Sequence, residues 1–145
     1  MPKYATDYGT AAALTGAELL QIVQAGADKQ VTAALLAALA RVPTVQTVAS
    51  AATVTPTFGN DLVAVTAQAV ALAVANPTGT AIPGLGMVIR IKDNGTARAI
   101  TWGTQYRGIG VTLPSTTVAT KTTYVAMIFN STDTTWDVVA VGTQA

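Results

Sequence analysis

The residues that could carry acid–base chemistry are seven carboxylates: Asp7, Glu18, Asp28, Asp61, Asp93, Asp133 and Asp137. Glycoside hydrolysis needs two of them facing each other across a scissile bond. Most of these acids fall in or beside stretches that read as turns, where Asp caps backbone N–H groups. No Asp-x-Asp-x-Asp run supplies the closely spaced oxygens that Ca²⁺ requires. The chain has no Cys and no His. That removes the thiolate nucleophile, the commonest general base and the commonest transition-metal ligand. The expectation is a protein that is not an enzyme and carries no metal or other cofactor.

Binding chemistry has more to draw on. The segment Trp102-Gly103-Thr104-Gln105-Tyr106-Arg107-Gly108 sets two aromatics beside Gln and Arg. Such a group can stack on a sugar or a peptide, so Trp102, Tyr106 and Arg107 are candidate ligand contacts. The competing reading puts Trp102 in the core and has Tyr106 close the edge of the domain. Arg90, Lys92, Arg98 and Arg107 cluster in sequence and form either a solvated face or one that meets an acidic surface. Gly84-Leu85-Gly86 lacks the third glycine, the Lys and the following helix of a phosphate loop, and reads as a bend. Asn94-Gly95-Thr96 and Asn130-Ser131-Thr132 match the glycosylation sequon and read as turns.

The frame that positions these residues has 145 residues, a net charge of +1, 10% charged residues and 50% apolar ones. A soluble domain carries about 25% charged residues, so much of this surface is expected to be covered by a partner. The near-neutral charge gives no footprint of a nucleic-acid binder. Leu62 to Ile89 holds no charged residue, but Gln68, Asn76, Pro77, Gly79, Pro83, Gly84 and Gly86 interrupt it. It reads as buried β-structure and not as a membrane span.

Composition changes near Pro43, from Ala/Leu-rich to Thr/Val/Gly-rich. Residues 1–42 read as an attachment segment, 43–52 as an extended connector and 53–145 as a β-domain. The first segment fits either one long helix from Gly16 to Val42 or a hairpin followed by a helix. Gly26 would cost about 1 kcal/mol in the middle of the long helix. The hairpin is therefore preferred, with arms Glu18–Gln24 and Gln30–Val31 around a turn. Thr32 then caps a helix from Ala33 to Arg41, which Pro43 stops. Leu35, Leu36, Leu39 and Val42 lie on one side of it and form the expected anchor, because so short a helix needs another surface.

Beyond Thr53 the β-branched runs predict strands at Thr53–Phe58, Leu62–Thr66, Val70–Ala75, Met87–Lys92, Ala97–Trp102, Val111–Leu113, Thr122–Asn130 and Thr135–Val141. This pattern suggests a β-sandwich or jelly roll. Asn94-Gly95 predicts a type I′ hairpin pairing Ile91 with Arg98, Ile89 with Ile100 and Met87 with Trp102. A second hairpin, turning at Thr132-Asp133, pairs Phe129 with Trp136, Met127 with Val138 and Val125 with Ala140. Its other face holds Tyr124, Ala126, Ile128, Val139 and Val141. Both faces are apolar, so the second is expected to meet another subunit.

The segment from Ala13 to Thr32 resembles an N-terminal module of tailed-phage fibre and virion structural proteins. Ala75-Asn76-Pro77-Thr78-Gly79, Ile89 to Arg98, Thr101-Trp102-Gly103 and Trp136 to Val141 are similar to a small β-domain of the same proteins. The resemblance implies a bacteriophage virion component, a capsid decoration or short fibre, with homotrimeric assembly and other virion proteins as partners. It implies no catalytic residue. The alternative is a receptor- or carbohydrate-binding fibre tip.

Overall fold

The computed structural model describes residues 19–24, 27–32 and 42–145. The chain divides into two compact units, Met1–Val42 and Pro43–Ala145. In the first, β1 (Leu19–Gln24) and β2 (Ala27–Thr32) form an antiparallel hairpin. Gln24 pairs with Ala27, so only two positions separate the arms and Ala27-Asp28-Lys29 belongs to a strand instead of a wide turn. The helix expected over Ala33–Arg41, with Leu35, Leu36 and Leu39, lies outside the described residues and has no support: no helix occurs among those described. Val42 is exposed.

The second unit is all β. Its strands are β3 (Val45–Val48), β4 (Thr53–Val54), β5 (Leu62–Gln68), β6 (Leu72–Val74), β7 (Gly86–Asp93), β8 (Ile100–Trp102), β9 (Tyr106–Gly108), β10 (Thr122–Asn130) and β11 (Thr135–Thr143). One sheet has six strands in the order β3-β5-β7-β10-β11-β9, and the other three in the order β4-β6-β8. From β3 to β8 the chain shuttles between the sheets, one strand in each, so that like strands stack in parallel. Parallel strands need a crossover, usually a helix. Here the crossover is a strand of the opposite sheet. The stretch read as a connector carries β3, the edge of the six-stranded sheet.

Both sheets feed one core. Val63, Val65, Met87, Ile89, Ile91, Val125, Met127, Phe129, Trp136 and Val138 come from the larger sheet, and Val54, Leu72, Val74 and Ile100 from the smaller. Alternation along β7 and β10 puts every second residue inside. Phe58 packs edge-on against Phe129 at 4.9 Å, and both rings lie 5.3 Å from Trp136. Gln68 is fully buried. Its amide donates to the carbonyls of Ala51 (2.8 Å) and Val70 (2.7 Å) and accepts from Ala51 N–H, tying successive turns of the chain together.

The Asn94-Gly95 hairpin does not form. A strand has two hydrogen-bonding edges, and those of β7 are taken by β5 and β10. β8 therefore joins β6 in the other sheet. Ile89 and Ile100 are both buried, but on opposite sheets of the core. The bend itself is held by Asp93, 2% exposed. Its carboxylate accepts from Gly95 N (2.7 Å), Thr120 N (3.1 Å) and the Thr117 hydroxyl (2.5 Å). Val111–Leu113 is not a strand either. β9 takes that place in the sheet, and the chain folds closely over Gly108, where a Cβ would lie 2.1 Å from the Val111 carbonyl oxygen.

Burial alone would raise the pKa of Asp93, but the bonds from Thr117, Gly95 and Thr120 and the charge of Arg98 outweigh it and hold the carboxyl below its ordinary value. A lowered folded-state pKa adds stability that is present above the unfolded value and lost as pH falls through the folded one. Asp93→Asn is expected to cost about 1.5–3 kcal/mol at neutral pH. It should also flatten the loss of stability between about pH 5 and pH 2, as read by urea unfolding at each pH. Gly95 has φ +125°, and nothing lies within 4 Å of an added Cβ, so substitution there meets backbone strain alone. Gly95→Val is expected to cost about 1–3 kcal/mol, whereas exposed Thr96→Val stays within about 0.5 kcal/mol; equal melting temperatures would remove the argument.

Candidate functional site

The Trp102–Gly108 segment is turned inward. Trp102 is half-buried, and its indole N–H donates to the Pro114 carbonyl at 2.8 Å. Its ring meets Tyr106 edge-on at 5.2 Å. Tyr106 is 8% exposed and donates its hydroxyl to the Ala75 carbonyl at 2.9 Å. Burial raises its pKa well above the ordinary phenol range. Asn76 fastens the loop beneath: its Oδ1 accepts from Gln105 N (3.0 Å), and its Nδ2 donates to Thr104 Oγ1 (3.1 Å). Gly103 is needed there, since a Cβ would lie 2.2 Å from Asn76 Oδ1.

Arg107 is exposed but engaged. Its guanidinium donates to Asp137 Oδ1 and, at 2.8 Å, to Asp133 Oδ2. Asn130 donates to both of those carboxylates. Burial would raise Asp137, but the Asn130 and Arg107 contacts hold its pKa below the ordinary value. Asp133 and Asp137 thus share an arginine at the tip of the β10–β11 hairpin. Among the described residues no group of three His, Cys, Asp or Glu is placed to hold a metal ion, and no helix is long and apolar enough to cross a membrane.

The outer face of the six-stranded sheet is different. The register lines up Val45, Leu62, Val88, Ala126 and Ala140 in one row across five strands. Ile128 lies to one side of this row and Tyr124 to the other. Val45 is 54% exposed, Ile128 and Tyr124 47%, and Val139 46%. Tyr124, Ala126, Ile128 and Val139 therefore share the outward side of the hairpin, as the sequence pattern implies. Val141 does not. Ala126 pairs with Ala140 but Met127 with Val138, leaving Val139 as an extra residue. This β-bulge shifts the alternation by one, so Val125 pairs with Val141 instead of Ala140, and Val141 packs partly buried against the core.

The hairpin alone suggested this surface; Val45, Leu62 and Val88 were missed. Their signal is the outward alternation in β3 and β7, which β5 does not share, and it becomes a surface only once the parallel register is known. At the Tyr124 end the face turns polar. Tyr124 stands opposite Gly142, and an open groove of about 520 Å³ runs along Thr122, Tyr124, Gly142, Thr143 and Gln144. Comparison with protein-family models, curated proteins and solved structures finds no match for the chain.

Proposed function

We propose that this protein is a non-enzymatic structural component of a tailed-phage virion, a capsid decoration or short fibre, assembled as a homo-oligomer, most simply a trimer. The second unit is read as a β-sandwich of the jelly-roll kind, and residues 1–42, with Leu35, Leu36, Leu39 and Val42, as the segment that attaches it to other virion proteins. The observation that carries the assembly is the apolar row on the outer face of the six-stranded sheet. The inner face of that sheet already covers the core, so on its outer face Val45, Ile128 and Val139 stand exposed and Leu62, Val88 and Ala126 stay partly exposed. A second copy supplies the matching apolar surface, and burial yields about 25 cal/mol per Å² before ordering costs. The low charge of the chain supports the same reading. The Trp102–Arg107 segment lends no support to a carbohydrate-binding tip, because its aromatics and its arginine are engaged within the unit.

Sedimentation of the full chain tests the assembly. The oligomer is expected to dissociate in the double variant Ile128→Asp with Val139→Asp, with the melting profile of the monomer retained. Sedimentation of the unaltered protein as a stable, folded monomer would overturn the reading. The attachment role is tested by a chain beginning at Pro43, which keeps β3 and so the whole sheet. It is expected to fold and oligomerise but to fail to decorate particles that lack the protein; decoration equal to that of the full chain would move the anchor into the second unit.

A further inference from the structure

The bend after β7 sets Asn94 apart from every other asparagine of the chain. We propose that Asn94 is a site of spontaneous covalent modification, deamidation through a succinimide, and that Asp93 holds the reaction back by binding the N–H of Gly95.

Deamidation requires a side-chain amide that can turn onto the backbone nitrogen of the next residue. The chain has four asparagines, Asn60, Asn76, Asn94 and Asn130. Asn60 donates its amide to Gln46 (3.0 Å) and Thr57 (2.7 Å). Asn130 accepts from Thr132 N (3.0 Å) and Asp133 N (3.3 Å) while donating to Asp133 and Asp137. Asn76 holds Gln105 N and Thr104, and the nitrogen of the following Pro77 carries no hydrogen. Those three are half-buried. Asn94 is exposed, and its side chain makes no hydrogen bond to the described residues. Its neighbour Gly95 is exposed as well, with nothing within 4 Å of where a Cβ would stand, so space surrounds the reacting atoms.

The step needs only water and hydroxide. Hydroxide takes the proton of Gly95 N, and the nitrogen attacks Asn94 Cγ. The N–Cγ bond forms, the Cγ–Nδ2 bond breaks, and ammonia leaves with a proton from water. Water then opens the succinimide at either carbonyl, giving aspartate or isoaspartate. Here the proton to be removed is already engaged: Gly95 N–H donates to Asp93 Oδ1 at 2.7 Å. That carboxyl is held below its ordinary pKa, so it is charged at neutral pH, and a second negative charge on the adjacent nitrogen is disfavoured beside it. The isoaspartate product adds one carbon to the main chain between residues 94 and 95. Asn94 N is fixed on the other side by the Gln68 carbonyl at 3.2 Å. The added length therefore falls on the Gly95–Asp93 bond, and modification loosens the bend.

The experiment incubates the full-length protein at mildly alkaline pH and follows each asparagine by peptide mapping that separates aspartate from isoaspartate. Asn94 is expected to react first, and about tenfold more slowly in the folded chain than in the same chain unfolded in guanidinium chloride. Asp93→Asn should raise the folded-state rate by about tenfold. Val138→Ala truncates a fully buried residue of β11 and destabilises the domain without touching Asp93, so it should leave that rate unchanged. Protein carrying isoaspartate should melt below the unmodified form, and Asn94→Gln should resist modification with its melting temperature retained. Earlier reaction at Asn60, Asn76 or Asn130 would refute the site. Equal rates in the folded and unfolded chain, no acceleration by Asp93→Asn, or equal acceleration by Val138→Ala would each refute the restraint by Asp93. Unchanged melting of the isoaspartate form would refute the loosening of the bend.

Discussion

The central strand β7 has two hydrogen-bonding edges, and both are occupied along its length. β5 pairs with it in parallel on one side and β10 antiparallel on the other. Everything after Asp93 follows from that saturation. The chain cannot fold back onto β7, so at Asp93 it must leave the sheet. The buried carboxylate makes the departure tolerable by taking one hydrogen bond from Gly95 in the bend and two from Thr117 and Thr120 in the segment that leads into β10. A buried charge without such partners would cost several kcal/mol. Here Thr117 also accepts from Arg98 N–H at 2.7 Å, so the bend after β7 and the segment before β10 are gathered on one group.

The same strand divides the domain into two ways of building a sheet. Before β7 the chain shuttles between layers and stacks parallel strands, each turn covering the last. After β8 it returns to the larger sheet and closes with a local antiparallel hairpin. Parallel strands sequester their residues on both sides only when something covers each face. The smaller sheet covers the inner face. The outer face of the larger sheet is left with its row of Val, Leu and Ala side chains, and this is the physical basis of the assembly reading.

Most polar side chains with chemistry to offer are used in construction. Gln68 ties adjacent turns, Asn76 holds the loop before β9, and Asp133 and Asp137 share Arg107 at the hairpin tip. Tyr106 and Trp102 each donate to a backbone carbonyl. Arg90 differs from these: it stands on the exposed face beside an exposed aromatic ring, without an acid.

Local pattern determined the β-class, the N-terminal hairpin and the long β10–β11 hairpin. The strand Thr122–Asn130 and the pairs Phe129–Trp136 and Met127–Val138 follow from alternation and a short turn, because they depend on residues close in the chain. The outward side of Tyr124, Ala126, Ile128 and Val139 was legible for the same reason. The partner of β7 was not, since Asn94-Gly95 signals a bend and not which edge remains free. Nor was the bulge at Val139, which has no Gly or Pro to mark it and which turned Val141 inward. The apolar row needed the parallel register of strands 17 or more residues apart, Val45 with Leu62 and Leu62 with Val88. Such pairing is decided by the shared core, where burial of both layers together fixes which strands can lie side by side.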